Sequence, residues 1–174
     1  IGLVNSNSVI ESTTISNNII LEGDALGGGG IAVNGGSPKL IDVEIFDNWV
    51  GANIYSLNGG GGILCGFSSG GTEISLDIEN SKIINNVANI GAGIGVLSGE
   101  VKINRTIIAN NNGDYGSAIS MGEPLGLVVQ DIYMDLSNST IANNSGAITT
   151  GLINTANLNI INSLFWDNQS NYEI

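Results

Sequence analysis

The sequence predicts an all-β fold in which short strands stack as a parallel β-helix, a solenoid. Three observations lead there: a seven-residue motif recurs along the chain, its spacing fits one coil of such a solenoid, and the composition favours strands and turns over helices. The 174 residues are 42% hydrophobic but only 5% aromatic. We therefore expect a narrow interior filled by rows of aliphatic side chains.

The motif begins with Asn, Asp or Ser, carries Ile or Phe at its fourth position and closes with Asn at its seventh. Its copies are STTISNN from Ser12, DVEIFDN from Asp42, NSKIINN from Asn80, NRTIIAN from Asn104, NSTIANN from Asn138 and NSLFWDN from Asn162. The fourth positions are Ile15, Ile45, Ile83, Ile107, Ile141 and Phe165. The closing residues, spaced by 30, 38, 24, 34 and 24, are Asn18, Asn48, Asn86, Asn110, Asn144 and Asn168. A fixed unit of 24 residues with insertions indicates a repeat protein.

Alternating aliphatic residues between the motifs predict strands, as in 74–78 (ISLDI), 101–103 (VKI) and 158–160 (LNI). Gly-rich stretches with a further small apolar strand follow most motifs, as in 27–33 and 59–65. One unit therefore has room for about three short strands joined by tight corners. We predict about six coils with three strands each, in a single domain over residues 1–174.

The closing asparagines are predicted to form a ladder at one corner of the solenoid. Equivalent corners of stacked coils lie about 4.8 Å apart, which lets one side-chain amide hydrogen-bond the next. Asn also tolerates the left-handed backbone conformation that a sharp corner requires. We assign these six residues a structural role.

The pairing of (I/F)-x-x-N with G-(G/S/A)-(A/G)-I resembles the right-handed parallel β-helix repeats of the pectin-lyase-like superfamily. It is most similar to the FxxN and GGAI repeats of polymorphic outer-membrane proteins and related secreted surface proteins. FWDN at 165–168 matches the first motif, whereas GSAI at 116–119 and GAGI at 91–94 nearly match the second. The resemblance implies a right-handed, single-stranded solenoid with an extracellular or cell-surface location. It also implies a role as an adhesin, a stalk or a carbohydrate-active enzyme.

The charge balance excludes several partners. The chain has 4 basic and 16 acidic residues, a formal net charge of −12. Nucleic-acid binding requires clustered Lys and Arg, so we do not expect this chain to bind nucleic acids.

No stretch of this segment is apolar for long enough to predict a membrane span. The single cysteine, Cys65, lies in a small apolar strand and is predicted to be a core residue.

The sequence offers no recognisable catalytic set, and we expect no enzymatic activity and no cofactor. It contains no His, which removes the usual general base. The NTD, GHG and RIK elements that the resemblance implies for polygalacturonase-like members are absent, and the only arginine, Arg105, lies inside a motif. Calcium is the one ion that the sequence leaves open, at Glu22 with Asp24 or at Asp131 with Asp135. Neither pair forms a calcium-loop motif, so solvated carboxylates are the preferred interpretation.

Binding is expected where insertions interrupt the repeat, around 22–30, 51–62, 66–72 and 122–131. The exposed aromatic residues that we assign as ligand contacts of these protruding loops are Tyr55, Phe67 and Tyr115. Their partners would be surface glycans or proteins of a host or cell surface. The chain begins with Ile and its last motif is followed by few residues. We therefore expect a segment of a longer β-helix, or an uncapped subunit whose partners are neighbouring coils or subunits.

Three functions follow from this sequence. The first is a non-enzymatic structural or adhesive β-helix that displays loops on a rigid rod. The second is a polysaccharide-binding or polysaccharide-cleaving β-helix, of the lyase or hydrolase type, which would place acids and aromatic residues in a groove on one sheet. The third is an extracellular filament whose subunits stack through open β-helix ends, since exposed strand edges are templates for further pairing.

Overall fold

The structure is a computed structural model that describes residues 1–21, 27–51, 59–66, 73–122, 131–145 and 156–169, and the backbone alone of 148–150. Within these ranges the chain forms short strands joined by corners, with no helix. The prediction of an all-β fold is confirmed.

Three parallel sheets of six strands each contain nearly all the strands. Sheet A consists of β1 (Gly2–Val4), β5 (Ile31–Asn34), β9 (Ile63–Cys65), β12 (Ile94–Val96), β15 (Ile119–Met121) and β18 (Ile148–Thr150). Sheet B consists of β2 (Val9–Glu11), β6 (Lys39–Ile41), β10 (Ser75–Glu79), β13 (Gly99–Asn104), β16 (Ile132–Ser137) and β19 (Ala156–Ile161). Sheet C consists of β3 (Thr14–Ser16), β7 (Glu44–Phe46), β11 (Lys82–Ile84), β14 (Ile107–Ala109), β17 (Thr140–Ala142) and β20 (Leu164–Trp166). A short pair, β4 (Ile19–Ile20) with β8 (Trp49–Val50), follows sheet C.

The chain visits sheets A, B and C in the same order at every repeat. Each strand pairs in parallel with the equivalent strand of the neighbouring repeat, and the pairing is in register. Ile45 is aligned with Ile83, and Ile83 with Ile108. Successive repeats therefore stack with equivalent residues above one another, as in a parallel β-helix or solenoid.

The interior is a column of aliphatic side chains supplied by all three sheets. Sheet C contributes one row of inward side chains: Ile15, Ile45, Ile83, Ile108, Ile141 and Phe165. In sheet B, strands β10, β13 and β16 alternate buried and outward residues, whereas β9, β12 and β15 of sheet A are buried on both faces. Cys65 lies in this core, where burial raises the pKa of its thiol to about 12. The thiol therefore stays protonated at neutral pH.

The sequence assignment of Ile107 to the inward row is wrong. Ile107 is 43% exposed on the outer face of sheet C, whereas its neighbour Ile108 is fully buried. The fourth motif copy was placed one residue too early, because two adjacent isoleucines both satisfy the pattern. The copy that the structure uses begins at Arg105 and reads RTIIANN.

The Gly-rich stretches form tight turns against the backbone of sheet A. Gly60 and Gly91 occupy the same place, three residues before the first Ile of their strands, and both have positive φ angles. A Cβ atom on Gly91 would lie 2.5 Å from the carbonyl oxygen of Ile94. Only glycine fits both this backbone conformation and this close contact. The glycines therefore serve the packing of the solenoid.

Candidate functional site

A continuous ladder of asparagine side chains lies at the corner after sheet C. The backbone N–H and the Nδ2 of Asn86 both donate to Oδ1 of Asn111, at 2.9 and 3.1 Å. The second Nδ2 proton of Asn86 is donated to the carbonyl oxygen of Ile45, at 3.0 Å. The backbone N–H and Nδ2 of Asn48 donate to Oδ1 of Asn86 in turn. Every polar atom of the Asn86 carboxamide thus has a partner in a neighbouring repeat.

The ladder runs through all the repeats that the structure describes. Its members are Asn18, Asn48, Asn86, Asn111, Asn144 and Asn168. The four inner members are at most 1% exposed. Burying an amide without hydrogen-bond partners costs free energy of folding. Each carboxamide of the ladder therefore depends on the hydrogen bonds that it makes with the carboxamides above and below it.

Asn110 is not part of the ladder, contrary to the sequence prediction. It is exposed and has a φ angle of 56°, while the next residue, Asn111, points inward. The same division of roles holds at every ladder corner: the residue before each ladder asparagine adopts the left-handed conformation. These residues are Asn17, Asp47, Asn85, Asn110, Asn143 and Asp167. The corner signature is therefore (N/D)-N, and the ladder spacings are 30, 38, 25, 33 and 24 residues.

A second ladder, made of hydroxyl groups, lies at the corner between sheets B and C, and the sequence prediction missed it. The N–H of Ser81 donates to Oγ1 of Thr106 at 3.3 Å, and the N–H of Thr106 donates to Oγ of Ser139 at 3.1 Å. Each hydroxyl also donates to the carbonyl oxygen two residues earlier, as from Ser81 to Glu79 at 2.7 Å. The available signal was a Ser or Thr at the second motif position.

The Gly-rich motif and the motif that contains the inward Ile and the ladder Asn pack against each other across the interior. A Cβ atom on Gly62, the residue before Ile63, would lie 3.0 Å from Cγ2 of Ile83 and 3.2 Å from Nδ2 of Asn86. The small residue of the Gly-rich motif therefore leaves the space that the Ile and Asn of the other motif occupy. This contact explains why the two motifs recur together.

The outer faces of sheets B and C differ in character. The outer face of sheet B carries a row of charges aligned across neighbouring strands: Lys39, Asp77, Lys102 and Asp135. Lys39 lies 3.3 Å from Asp77. The outer face of sheet C carries the ion pair of Lys82 with Glu44 together with exposed apolar side chains, among them Ile107, Leu164 and Trp166. The two faces therefore present different chemistry to the surroundings.

All four basic side chains of the chain are paired with acids. Lys39 pairs with Asp77, Lys82 with Glu44, Lys102 with Glu100 and Arg105 with Glu79. These pairs are solvent-exposed, so each contributes little stability. The remaining acids leave a surface with a strong excess of negative charge.

A shallow groove of about 370 Å³ lies on the outer face of sheet B. It is lined by Glu100, Tyr133, Met134, Asp135, Asn157, Leu158 and Asn159. Tyr133 is half exposed and is aligned between Glu100 on one neighbouring strand and Asn157 on the other. Asp135 accepts a hydrogen bond from Nδ2 of Asn159 at 3.1 Å. An aromatic ring is thus surrounded by carboxylates and amides.

Lys102 lies beside this groove. Its ammonium group is 3.0 Å from Glu100, and its strand neighbours across the sheet are Asp77 and Asp135. The hydrogen bond and the charge of Glu100 raise the pKa of Lys102 above its ordinary value, and the two aspartates act in the same direction. Lys102 is therefore protonated at neutral pH and is not poised to accept a proton.

The residues assigned from the sequence as ligand contacts do not lie in this groove where the structure describes them. Tyr115 is half-buried and pairs through its backbone with Ile90 at a corner. Tyr55 and Phe67 lie outside the described residues, as do the calcium candidates Glu22 and Asp24.

Of the other calcium candidates, Asp131 and Asp135, only Asp135 lies in the groove. Asp135 lines the groove, and Asp131 precedes the same strand. Among the described residues, no group of three or more Cys, Asp or Glu side chains is placed to hold a metal ion.

The described part of the chain has no helix long and apolar enough to cross a membrane.

Comparison with protein-family models, with curated proteins and with solved structures gives no match to this chain. The chain's own geometry must therefore supply the evidence for its function. The two ladders and the sheet B groove are the features that bear on it.

We expect Asn111→Ala to lower the free energy of unfolding by about 3 kcal/mol or more, because two buried donors of Asn86 and the carbonyl oxygen of Ile83 lose their partner. The neighbouring substitution Asn110→Gly is the matched control. Glycine accepts the left-handed backbone there, so stability should change by less than about 1 kcal/mol. Urea denaturation followed by circular dichroism measures both. Equal losses in the two variants would contradict the assignment of the ladder to Asn111.

Val43 interrupts the hydroxyl ladder, and we expect Val43→Thr to complete it. The side chain is fully buried, and the equivalent Thr106 shows that a β-branched hydroxyl residue fits this corner. The new hydroxyl would donate to the carbonyl oxygen of Ile41 and accept from the N–H of Thr13. The expected gain is about 0.5–1 kcal/mol of unfolding free energy. Val43→Ala, which adds no hydroxyl, should destabilise; a Thr variant less stable than the parent protein in urea would refute the second ladder's contribution.

Proposed function

We propose that the chain is a right-handed parallel β-helix of about six coils, with three main strands each, that serves outside the cell or at the cell surface as a non-enzymatic rod. The rod would display its outer faces and its inserted loops to partners. The rotation of the chain through three sheets of six strands supports the coil count. Parallel strands are joined by right-handed connections in about 98% of cases, which supports the handedness together with the resemblance of the repeats.

The uninterrupted asparagine ladder is the observation that carries this proposal. The inner members Asn48, Asn86, Asn111 and Asn144 are buried and bonded to one another. The buried polar groups at this corner thus serve to fix one repeat on the next. Repeat architectures of this kind tolerate insertions between corners, and such loops often carry the binding function.

The chemistry of the described side chains favours a role without catalysis. The chain has no His, and its Lys and Arg side chains are all in ion pairs. Glu100, Asp77 and Asp135 raise the pKa of Lys102, so this residue is held in its protonated form. A general base that works near neutral pH requires a pKa close to that range. Display of surfaces and loops is therefore the proposal that this surface supports best.

A polysaccharide-binding role is the second candidate, and the sheet B groove favours it. An exposed tyrosine with carboxylates and amides around it offers both an apolar platform and hydrogen-bonding groups. Ligand sites commonly combine an apolar surface with a few placed polar groups. A groove on a rigid sheet is compatible with the rod, because the ladder would hold its residues at a fixed spacing.

We expect the purified protein to release no soluble products from pectin, xylan, cellulose or chitin. The reason is that the chain has no His and that its four basic side chains are all held in ion pairs. Reducing-end assays and ultraviolet absorbance of unsaturated uronates measure hydrolase and lyase products, respectively, with known enzymes as positive controls. Products that increase with protein concentration and persist through repurification would contradict the non-enzymatic proposal.

A further inference from the structure

The groove on sheet B has the dimensions of a sugar-binding surface. Its volume is about 370 Å³, and its residues come from the adjacent strands β13, β16 and β19. Neighbouring strands lie about 4.8 Å apart, so the side chains of Glu100, Tyr133 and Asn157 succeed one another at roughly the width of a pyranose ring. Asp135 and Asn159 form a parallel row two residues further along the same strands.

The side chains in the groove are complementary to a pyranose. Tyr133 is 50% exposed, and a tyrosine ring is a flat apolar surface of the kind that packs against the C–H face of a sugar. Carboxylates accept hydrogen bonds from hydroxyl groups, and amides both donate and accept. The groove places Glu100 and Asn157 on either side of the ring, and Asp135 beside it. The fold therefore places polar side chains around the aromatic ring of Tyr133 before any ligand binds.

The charges around the groove select among sugars. Glu100 and Asp135 line it, Asp77 lies on the next strand, and Lys102 is already paired with Glu100. Asp77 is paired with Lys39 and Glu100 with Lys102, so Asp135 is the carboxylate of this group that takes part in none of the four ion pairs and leaves an excess negative charge. A uronate or sulfated sugar would meet this charge of the same sign, which disfavours binding. The hydroxyl groups of a neutral sugar, or the ammonium groups of an amino sugar, would instead donate hydrogen bonds to these carboxylates.

We infer that this groove binds a pyranose oligosaccharide without anionic groups, stacked on Tyr133 and hydrogen-bonded by Glu100, Asp135 and Asn157. The inference rests on the second candidate function, polysaccharide binding, and assigns to it a site and a ligand class. It also differs from what the family resemblance implies, since pectin-type substrates are anionic. The rigid sheet sets the spacing of these groups before the ligand arrives, and such preorganisation favours affinity.

The test measures binding of cellohexaose, a chitosan hexamer and hexagalacturonate to the whole chain by isothermal titration calorimetry. We expect binding of cellohexaose, the chitosan hexamer or both, and none of hexagalacturonate. Tyr133→Thr should weaken the binding at least about tenfold, because threonine keeps strand propensity but removes the stacking surface. Ile107→Thr is the matched control: it trims an exposed side chain on the outer face of sheet C, and binding should be unchanged.

A charge-reversal variant keeps the inference testable if Tyr133→Thr does not fold. Asp135→Lys should weaken binding of the chitosan hexamer and admit hexagalacturonate, because it replaces an exposed carboxylate with an ammonium group. The thermal unfolding of each variant, followed by circular dichroism, confirms that the solenoid is intact.

Three outcomes would overturn the inference. Tighter binding of hexagalacturonate than of the other sugars would contradict the ligand class. Binding that is unchanged in Tyr133→Thr would contradict the site, while leaving a polysaccharide-binding role elsewhere on the chain. Absence of binding for all three sugars would reject both the site and the second candidate function, but would leave the displayed rod untouched.

Discussion

The side-chain amide ladder is the constraint on which the rest of the structure depends. A carboxamide can be buried only if its donors and its acceptor are all satisfied, and here the equivalent residues of neighbouring repeats do so. This requirement aligns one repeat with the next and fixes the register of sheet C. The inward row that contains Ile45 and Ile83 then stacks without offset. The segments between corners remain free to vary, so repeats of 24 and of 38 residues share one ladder.

The same alignment arranges the outer side chains in rows that run across the repeats. Residues on one side of a strand meet the same side of the next strand, so a charged row on sheet B and an apolar area on sheet C both extend across several repeats. Tyr133 gains its neighbours Glu100 and Asn157 only because their strands are in register. The proposed functions of display and of sugar binding thus both derive from the stacking that the ladder imposes.

The sequence predicted the parallel architecture and most of the ladder, because Ile and Asn recur at a fixed separation within each corner. It misplaced one member. In RTIIANN both isoleucines and both asparagines satisfy the pattern, and only the pairing of Ile83 with Ile108 decides between them. That one-residue error put Arg105 where Thr106 belongs, and it thereby concealed the hydroxyl ladder. The (N/D)-N signature, known from the structure, excludes Asn110 as the ladder residue because Ala109 precedes it.

The groove was not predicted, because of the same one-residue error. Glu100, Tyr133 and Asn157 are 33 and 24 residues apart in sequence, the spacings of the ladder from Asn111 to Asn144 and Asn168. The frame that begins at Asn110 gives 34 for the first spacing, and a shift of one residue moves a side chain to the opposite face of its strand. The sequence indicated only that acids and an aromatic residue would share a sheet if the chain bound polysaccharides.

The most direct test of the ladder is hydrogen exchange of the asparagine carboxamide protons, measured by nuclear magnetic resonance in D₂O. The account predicts that the side-chain NH₂ groups of Asn86 and Asn111 exchange only when the whole solenoid unfolds. The exposed carboxamides of Asn110 and Asn112 should exchange within the dead time of the experiment. If the Asn86 and Asn111 side chains exchanged as fast as those of Asn110 and Asn112, the ladder would not be the interaction that holds the repeats together.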